Sequence, residues 1–339
     1  MGNTKLARTK IILITDAWEP QVSGVVTTYK NIISNLPEGY SVDVIHPGLF
    51  TCVSIPFYKS IPWAICSYTK MRNMLKMRKY DWNMKGYNVK FHIATEGSLG
   101  FRARRALTSL KYQYTSAYHT KFPEFIQQIV GLPTWTTKWY FDWFHKNSQV
   151  VMCSSTSNAE ENKQWNSVVL GKGYDSCFKY KDKKSSEIVL LYVGRVSKEK
   201  NIDDFCRVEI GGAIKIVVGD GPYRSKLEKM YPSVRFVGYK FGKELAYFYQ
   251  SADVCVFPSK VDTFGITILE SMACGTPVAG YPVTGPIDQI INGVNGYVSD
   301  DLEHAVINSL NIDRERTFES VQNISWQSSA RQFVSYIDS

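Results

Sequence analysis

Residues 254–278, VCVFPSKVDTFGITILESMACGTPV, determine how the second half of the chain folds. The apolar run at 254–257 predicts a buried strand, and the spacing of apolar residues from Ile266 onward predicts a helix. Gly265 stands between the two, where its backbone freedom allows a close turn. A strand that leads through a short loop into a helix is the repeating unit of a parallel α/β sheet.

The same alternation extends outward over the whole chain. Short apolar runs predict a first set of strands at residues 10–16, 41–46, 90–95, 112–118 and 150–154. A second set is predicted at residues 188–193, 213–218, 234–237, 254–257 and 277–281. Helical patterns lie between most of these runs, notably at 24–36 and 98–111. Two parallel sheets covered by helices on both faces are therefore expected.

The pattern restarts after a polar, lysine-rich stretch within residues 171–186, which predicts a domain boundary. We expect an N-terminal Rossmann-like domain at 1–170, a C-terminal Rossmann-like domain at 171–325, and a helix at 326–339 that packs back on the first domain. The fold class is α/β, with two doubly wound domains facing each other across a cleft. Ligands of such sheets bind at the carboxyl ends of the strands, so residues just after strands are the informative ones.

The net charge of +9 is concentrated in the N-terminal half, where residues 1–170 contain 20 Lys and Arg against 10 Asp and Glu. The surplus clusters at 70–79 (KMRNMLKMRK) and at Arg102, Arg104 and Arg105. Such a surface could attract anionic lipid, nucleic acid or a phosphorylated acceptor, and an ordinary solvated helix surface is the alternative. Because no recognised nucleic-acid motif is present, we expect no nucleic-acid partner. Peripheral contact with an anionic membrane stays open.

The seven cysteines are scattered and none has zinc-ligand spacing, which indicates reduced thiols. No run of 18 apolar residues is present, so we expect no membrane span. The first ten residues are too short and polar for a secretory signal. A cytoplasmic location is therefore expected.

The residues that could carry chemistry in the second half follow strands. Asp262 lies in a loop just after the strand at 254–257, and Glu270 lies about one turn inside the next helix. The start of that helix favours an anion, and the two carboxylates can accept hydrogen bonds from sugar hydroxyls. Arg195 and Lys200 follow an earlier strand and can both reach a diphosphate.

Each of these features also has an ordinary structural interpretation. Acidic residues are common at helix starts, an Arg and a Lys often form surface ion pairs, and Gly219 in VVGDGP (217–222) could simply serve a tight turn. A lone histidine near a strand end, such as His119, is usually a hydrogen-bonded structural residue. Only the combination of motifs favours a binding site.

In combination the motifs resemble those of a family-4 retaining glycosyltransferase with the two-domain GT-B fold. The matching segments are TDAWEPQVSGV (15–25), HIATEGSLG (92–100), YHTKFPEF (118–125), YVGRVSKEKN (192–201), VVGDGP (217–222), the 254–278 stretch and YPVTGPIDQII (281–291). They extend over nearly the whole chain. The most similar branch is the bacterial-type one of sulfoquinovosyl- and mannosyltransferases that act on lipids.

The resemblance implies roles for individual residues. Arg195 and Lys200 would bind the donor diphosphate, and Glu270 would hold the donor ribose. Asp262 would face the donor sugar, with a shorter reach than the glutamate more common in the family. The residues implied in catalysis are His119, Asp262, Arg195 and Lys200. The other implied donor-binding residues are Asp16, Gly24, Gly219, Phe264, Gly265 and Ile266.

Sugar transfer from a nucleotide diphosphate builds negative charge on the leaving group, and preorganised positive charge stabilises it. No Asp-x-Asp motif is present to hold a metal, and Arg195, Lys200 and the helix start before Glu270 could replace one. We therefore expect neither a metal nor a cofactor. The resemblance implies retention by a front-face route, with a hexose moving from a UDP- or GDP-sugar to a glycan or lipid-linked acceptor.

Two other classes of function stay open at this point. A nucleotide-sugar epimerase can also be built from two Rossmann-like domains, and it would convert its substrate without any acceptor. A non-catalytic, basic α/β module could bind nucleic acid or a membrane, although it would not need the full set of donor-site motifs.

Overall fold

A computed structural model describes residues 8–55, 58–119, 121–183 and 186–339. The chain divides into two compact units, and each is described by itself. Unit 1 comprises Met1–Pro123, Pro133–Lys172 and Trp326–Ser339, and unit 2 comprises Glu124–Leu132 and Gly173–Ser325. The expectation about a secretory signal falls largely on residues 1–7, which lie outside the described ranges.

The elements up to residue 172 are, in chain order, β1 (Arg8–Ile14), α1 (Gly24–Ser34), β2 (Tyr40–Ile45), β3 (Cys52–Ile55), β4 (Tyr58–Ala64), α2 (Tyr68–Met84), β5 (Tyr87–Ile93), α3 (Ser98–Ser109), β6 (Thr115–Tyr118), α4 (Phe122–Val130), α5 (Trp135–His145), β7 (Val151–Cys153), α6 (Thr156–Glu161) and β8 (Ser167–Val169). One sheet has the strand order β2-β1-β5-β6-β7-β8, with every pair parallel. Strands β3 and β4 form a separate antiparallel hairpin.

The five strands predicted for this half are present, with shifted ends. The run at 112–118 begins its strand only at Thr115, because the chain turns at Lys111, where φ is +54°. The hairpin β3–β4 and the short strand β8 were not predicted. Strand β8 has three partly buried residues, too few to show a period in the sequence.

The core of unit 1 lies on both faces of its sheet. Ile11 and Leu13 of β1 pack into one cluster of buried side chains, while Ile12 and Ile14 pack into another. This continuous apolar strand is typical of a parallel sheet buried on both faces. Helix α14 (Trp326–Asp338) places Phe333 in the first of these clusters, so the last helix of the chain packs within unit 1.

The elements between residues 173 and 325 are β9 (Val189–Val193), α7 (Ile202–Arg207), β10 (Ile214–Val218), α8 (Arg224–Met230), β11 (Arg235–Phe236), α9 (Gly242–Ser251), β12 (Val254–Phe257), α10 (Ile266–Ala273), β13 (Val278–Gly280), α11 (Pro286–Gln289), β14 (Gly296–Val298), α12 (Leu302–Ser309) and α13 (Arg314–Glu319). The sheet order is β11-β10-β9-β12-β13-β14, again all parallel. All strands predicted for this half are present, and β14 was missed.

The strand order of unit 2 is that of a doubly wound Rossmann sheet. Its direction of winding reverses between β9 and β12, and in unit 1 it reverses between β1 and β5. Ligands of open α/β sheets bind at the carboxyl edge beside such a reversal. The prediction of two Rossmann-like domains is confirmed, and in unit 2 this edge lies where β9 and β12 end.

Candidate functional site

The carboxyl ends of β9 and β12 bring together residues that are far apart in the sequence. Arg195 lies two residues after β9, and Asp262 lies in the loop that follows β12. The Lys200 ammonium donates a hydrogen bond to Asp262 Oδ2 at 2.7 Å. The structure therefore places three predicted site residues at the reversal point of the sheet.

Asp262 is held as an ionised carboxylate. Its Oδ1 accepts hydrogen bonds from the backbone N–H groups of Thr263 (2.9 Å) and Phe264 (3.3 Å). Burial pushes the pKa of Asp262 upward, but the Lys200 ammonium and the two N–H donors outweigh it, so the pKa lies below its usual value. The sequence assigned Lys200 to phosphate and Asp262 to sugar. Here the two form an ion pair, so Asp262 also fixes the position of the Lys200 ammonium.

Gly219 allows the loops after β9 and β10 to approach each other. Its φ is +140°, and a Cβ there would lie 1.8 Å from the carbonyl oxygen of Gly194. Its N–H donates to Gly238 O at 2.9 Å. Any side chain at Gly219 would displace the loop that carries Arg195, so this glycine supports the site through the backbone.

The start of α10 has the form that the sequence predicted. Gly265 precedes the helix with φ at +80°, and a Cβ there would lie 2.9 Å from Phe257 Cζ. The Phe264 carbonyl accepts a hydrogen bond from Gln289 Nε2, a residue of the 281–291 motif. Phe264 and Gly265 thus lie in front of α10 and Ile266 begins it, at the positive end of the helix where an anion is favoured.

Glu270 lies in the second turn of α10 and is partly accessible. Desolvation raises the pKa of its carboxyl from 4.5 to about 8. Tyr249 on α9 donates a hydrogen bond to Glu270 Oε2 at 3.0 Å. Tyr249 was missed by the sequence analysis, because nothing in the local pattern connects it with a residue on another helix.

Glu270→Gln should make the protein less sensitive to alkaline pH. The folded-state pKa of Glu270 lies above its unfolded value, so its contribution to stability is present below pH 4.5 and is lost as the pH rises through about 8. Between about pH 6 and pH 9 the wild-type Tm should therefore fall a few degrees more than that of the variant. Thermal unfolding followed by circular dichroism measures this, and parallel Tm curves would contradict the raised pKa.

In unit 1, Asp16 lies just after β1 and binds the start of α3. Its carboxylate accepts hydrogen bonds from the Leu99 N–H (2.7 Å), the Gly100 N–H (3.2 Å) and the Thr95 hydroxyl (2.9 Å). A Cβ on Gly97 would lie 2.5 Å from the Asp16 carboxyl carbon, which explains the glycine. In the structure the Asp16 carboxylate therefore holds the start of α3. The approach of Asp16 to a donor phosphate stays a prediction.

His119 lies at the end of β6 and is buried in a chain of polar groups. Its Nδ1 is 3.1 Å from Ser154 Oγ, and its Nε2 is 2.9 Å from the Tyr29 hydroxyl, which is 2.7 Å from His92 Nε2. Burial, assisted by the Lys172 charge, lowers the pKa of His119 well below its usual value. The imidazole is therefore neutral and hydrogen-bonded on both sides, as a structural histidine would be. Its contact with a donor sugar stays a prediction.

Gly24 is the first residue of α1 and is exposed. No atom lies within 4 Å of the position that a Cβ would occupy. Ser23 caps the helix, since its hydroxyl accepts the Val26 N–H at 3.4 Å. The space in front of this helix start is compatible with the predicted approach of a ligand to Gly24.

Among the residues that the structure describes, no helix is long and apolar enough to cross a bilayer. Among the same residues no group of three or more His, Cys, Asp or Glu side chains is arranged to hold a metal ion.

The comparisons with known proteins concern the family and the fold of the chain. Residues 174–310 match the family described as Glycosyl transferases group 1. A GDP-mannose-dependent alpha-mannosyltransferase of Corynebacterium glutamicum is 27% identical, with 86% of this chain and 76% of the relative covered. The sulfoquinovosyl transferase of Arabidopsis thaliana is also 27% identical, over 86% of this chain and 60% of the relative.

Two further proteins extend the comparison. An alpha-monoglucosyldiacylglycerol synthase of Streptococcus pneumoniae is 27% identical, with 89% of this chain and 78% of the relative covered. A solved sucrose-phosphate synthase from Thermosynechococcus elongatus superimposes with a TM-score of 0.72 over 97% of this chain and 98% of its own, at 20% identity. At that identity the superposition supports the fold alone.

The two Rossmann-like units and the matching relatives define an enzyme that transfers sugars from nucleotide-sugar donors. The chain is a glycosyltransferase of the GT-B fold whose residues 174–310 form a group 1 glycosyl transferase domain. The resemblance to family-4 glycosyltransferases, including mannosyl- and sulfoquinovosyltransferases, that the sequence motifs indicated is confirmed.

Proposed function

We propose that this glycosyltransferase works with retention and without a metal, moving a hexose from a UDP- or GDP-sugar to a glycan or lipid-linked acceptor. The observation that carries the proposal is the grouping of Arg195, Lys200 and the start of α10 around the reversal point of the unit 2 sheet. This grouping supplies fixed positive charge where a leaving diphosphate would gain negative charge.

The donor would be bound in unit 2 by groups with different tasks. Arg195 offers a planar fork to the diphosphate, and Lys200 adds a second positive charge that Asp262 holds in place. Asp262 would in addition accept hydrogen bonds from the sugar. Glu270, with Tyr249 beside it, would bind the ribose hydroxyls. GDP-mannose is one candidate donor, because the C. glutamicum relative is named for it.

The acceptor would be bound by unit 1. A lipid acceptor is supported by the S. pneumoniae relative, which is named for a product on diacylglycerol. It is also supported by the surplus of positive charge in residues 1–170, since anionic lipid surfaces attract Lys and Arg. The enzyme would then act at the surface of an anionic membrane.

Donor turnover in excess EDTA tests the metal-free mechanism. Release of nucleoside diphosphate from the donor, with and without acceptor lipids, should persist because Arg195 and Lys200 take the place of a metal. The EDTA-treated enzyme with added Mg²⁺ or Mn²⁺ serves as the control. Activity that disappears in EDTA and returns only with one of these ions would contradict the proposal. Conversion of the donor to an epimer without acceptor would indicate an isomerase instead.

A further inference from the structure

Helix α5 presents two tryptophans to solvent on one face. The side chains of Trp135 and Trp139 are 74% and 66% exposed, and their spacing of four residues places them side by side on the helix. Tryptophan is usually well buried in globular proteins, so a neighbouring pair of exposed indoles indicates a surface with a binding partner.

Other side chains of α5 contact α3. Tyr140 stacks against Phe101 with ring centroids 6.3 Å apart, and the tilted ring of Trp143 lies 5.6 Å from that of Phe101. The Arg104 guanidinium lies 3.8 Å from the centre of the Trp143 ring and donates a hydrogen bond to the Trp143 carbonyl at 2.8 Å. Phe144 is fully buried. Because these contacts hold the helix, the two exposed tryptophans are not needed for the core.

Positive charge accompanies the two indoles. Lys138 is exposed between them in the sequence, and Lys146 is exposed directly after the helix. The acidic residue of α5, Asp142, accepts a hydrogen bond from Trp165 Nε1 at 2.8 Å and is thereby engaged with unit 1 itself. The outward face of α5 thus combines large aromatic rings with ammonium groups.

This combination suits the interface of a bilayer. Indole rings favour the headgroup level of membranes, and lysines beside them attract anionic lipids. We propose that Trp135 and Trp139, flanked by Lys138, form the surface through which unit 1 inserts into the interface of an anionic membrane. The inference rests on the proposed lipid acceptor and deepens it, since it names the partner surface.

The basic cluster at 70–79 is less available for this task than its composition suggests. Arg78 forms an ion pair with Asp43, and the Lys79 ammonium lies 3.9 Å from the centre of the Tyr112 ring. Part of this charge is thus engaged within unit 1. Attraction by the cluster would add to membrane binding, whereas insertion would depend on α5.

The test compares two double variants of the full-length protein. Trp135→Ser/Trp139→Ser removes the proposed inserted groups, and Tyr80→Ser/Met84→Ser removes two equally exposed apolar residues of α2, at 65% and 70% exposure. Binding is measured by co-sedimentation with phosphatidylcholine vesicles containing about 30% phosphatidylglycerol, at low and high salt. Circular dichroism and Tm confirm that all variants are folded.

Wild-type protein should bind these vesicles in a salt-dependent way. The α5 variant should bind about tenfold or more weakly, because two apolar rings no longer leave water, and the α2 variant should change less than about twofold. Equal binding by the α5 variant and wild type, or an equal loss in the α2 variant, would overturn the proposal. A dimer that wild type and the α2 variant form with rising concentration, and that the α5 variant does not form, would also overturn the proposal.

Donor turnover in solution separates this inference from the proposed function. Release of nucleoside diphosphate without vesicles should be unchanged in both double variants, since neither touches the unit 2 site. Vesicle binding that depends on α5 together with absent donor turnover in wild type would contradict the proposed function alone. Normal turnover together with α5-independent vesicle binding would contradict the membrane surface alone.

Discussion

Arg195→Ala is expected to lower kcat by about 10²–10³-fold, the loss typical of removing one preorganised donor to a developing anion. Arg195 lies two residues after β9, in a loop positioned by the close approach of Gly219 to Gly194. Negative charge on the leaving diphosphate grows as the bond between its oxygen and the anomeric carbon of the sugar breaks. An interaction that strengthens in this way acts mainly on kcat.

Steady-state kinetics with saturating donor measure this effect. Lys198→Ala is the matched control, because Lys198 is an exposed cation in the same loop that has no assigned role. Arg195→Lys should recover part of the activity, since it keeps the charge but loses the planar fork. A kcat for Arg195→Ala equal to that of the control would show that the diphosphate lies elsewhere.

Glu270→Ala should act differently and mainly raise the donor KM. The ribose does not react, so Glu270 should bind the ground state and the transition state about equally. Loss of a charged hydrogen bond of about 1.5–3 kcal/mol corresponds to a KM increase of roughly 10- to 150-fold. Because the pKa of Glu270 is about 8, the increase should be larger above that pH, where the carboxylate is ionised.

Donor KM and kcat measured on both sides of pH 8 test this assignment. Glu270→Gln keeps one acceptor oxygen and should show a smaller increase in KM. An unchanged donor KM in Glu270→Ala, or a fall in kcat with KM unaffected, would remove Glu270 from the ribose site.

Much of the fold was readable from local sequence patterns. The continuous apolar runs predict strands β1 and β12, and the glycine before Ile266 predicts the turn into α10. Each of these patterns lies within a few residues of sequence. The hairpin β3–β4 and the three-residue strands β8 and β14 were missed. Strands β8 and β14 are stabilised by pairing with β7 and β13, which local patterns do not show.

The site was predicted less completely, because its chemistry depends on contacts between distant segments. Arg195, Lys200 and Asp262 all follow strands at one sheet edge, yet the ion pair between Lys200 and Asp262 joins residues 62 positions apart. Binding of α3 by Asp16 and the hydrogen bond from Tyr249 to Glu270 likewise connect separate elements. Residue types indicated which side chains could bind a donor. Tertiary contacts decide which atoms of those side chains already form hydrogen bonds or ion pairs within the protein.

Isothermal titration calorimetry of the full-length protein with UDP and GDP tests most directly whether the ends of β9 and β12 hold a nucleotide donor. We predict that at least one of the two binds in EDTA with a stoichiometry of one. We also predict that Arg195→Ala and Glu270→Ala each weaken binding, while Lys198→Ala leaves it unchanged. Absence of binding by either nucleotide, or equal binding by wild type and both site variants, would contradict a donor site in unit 2.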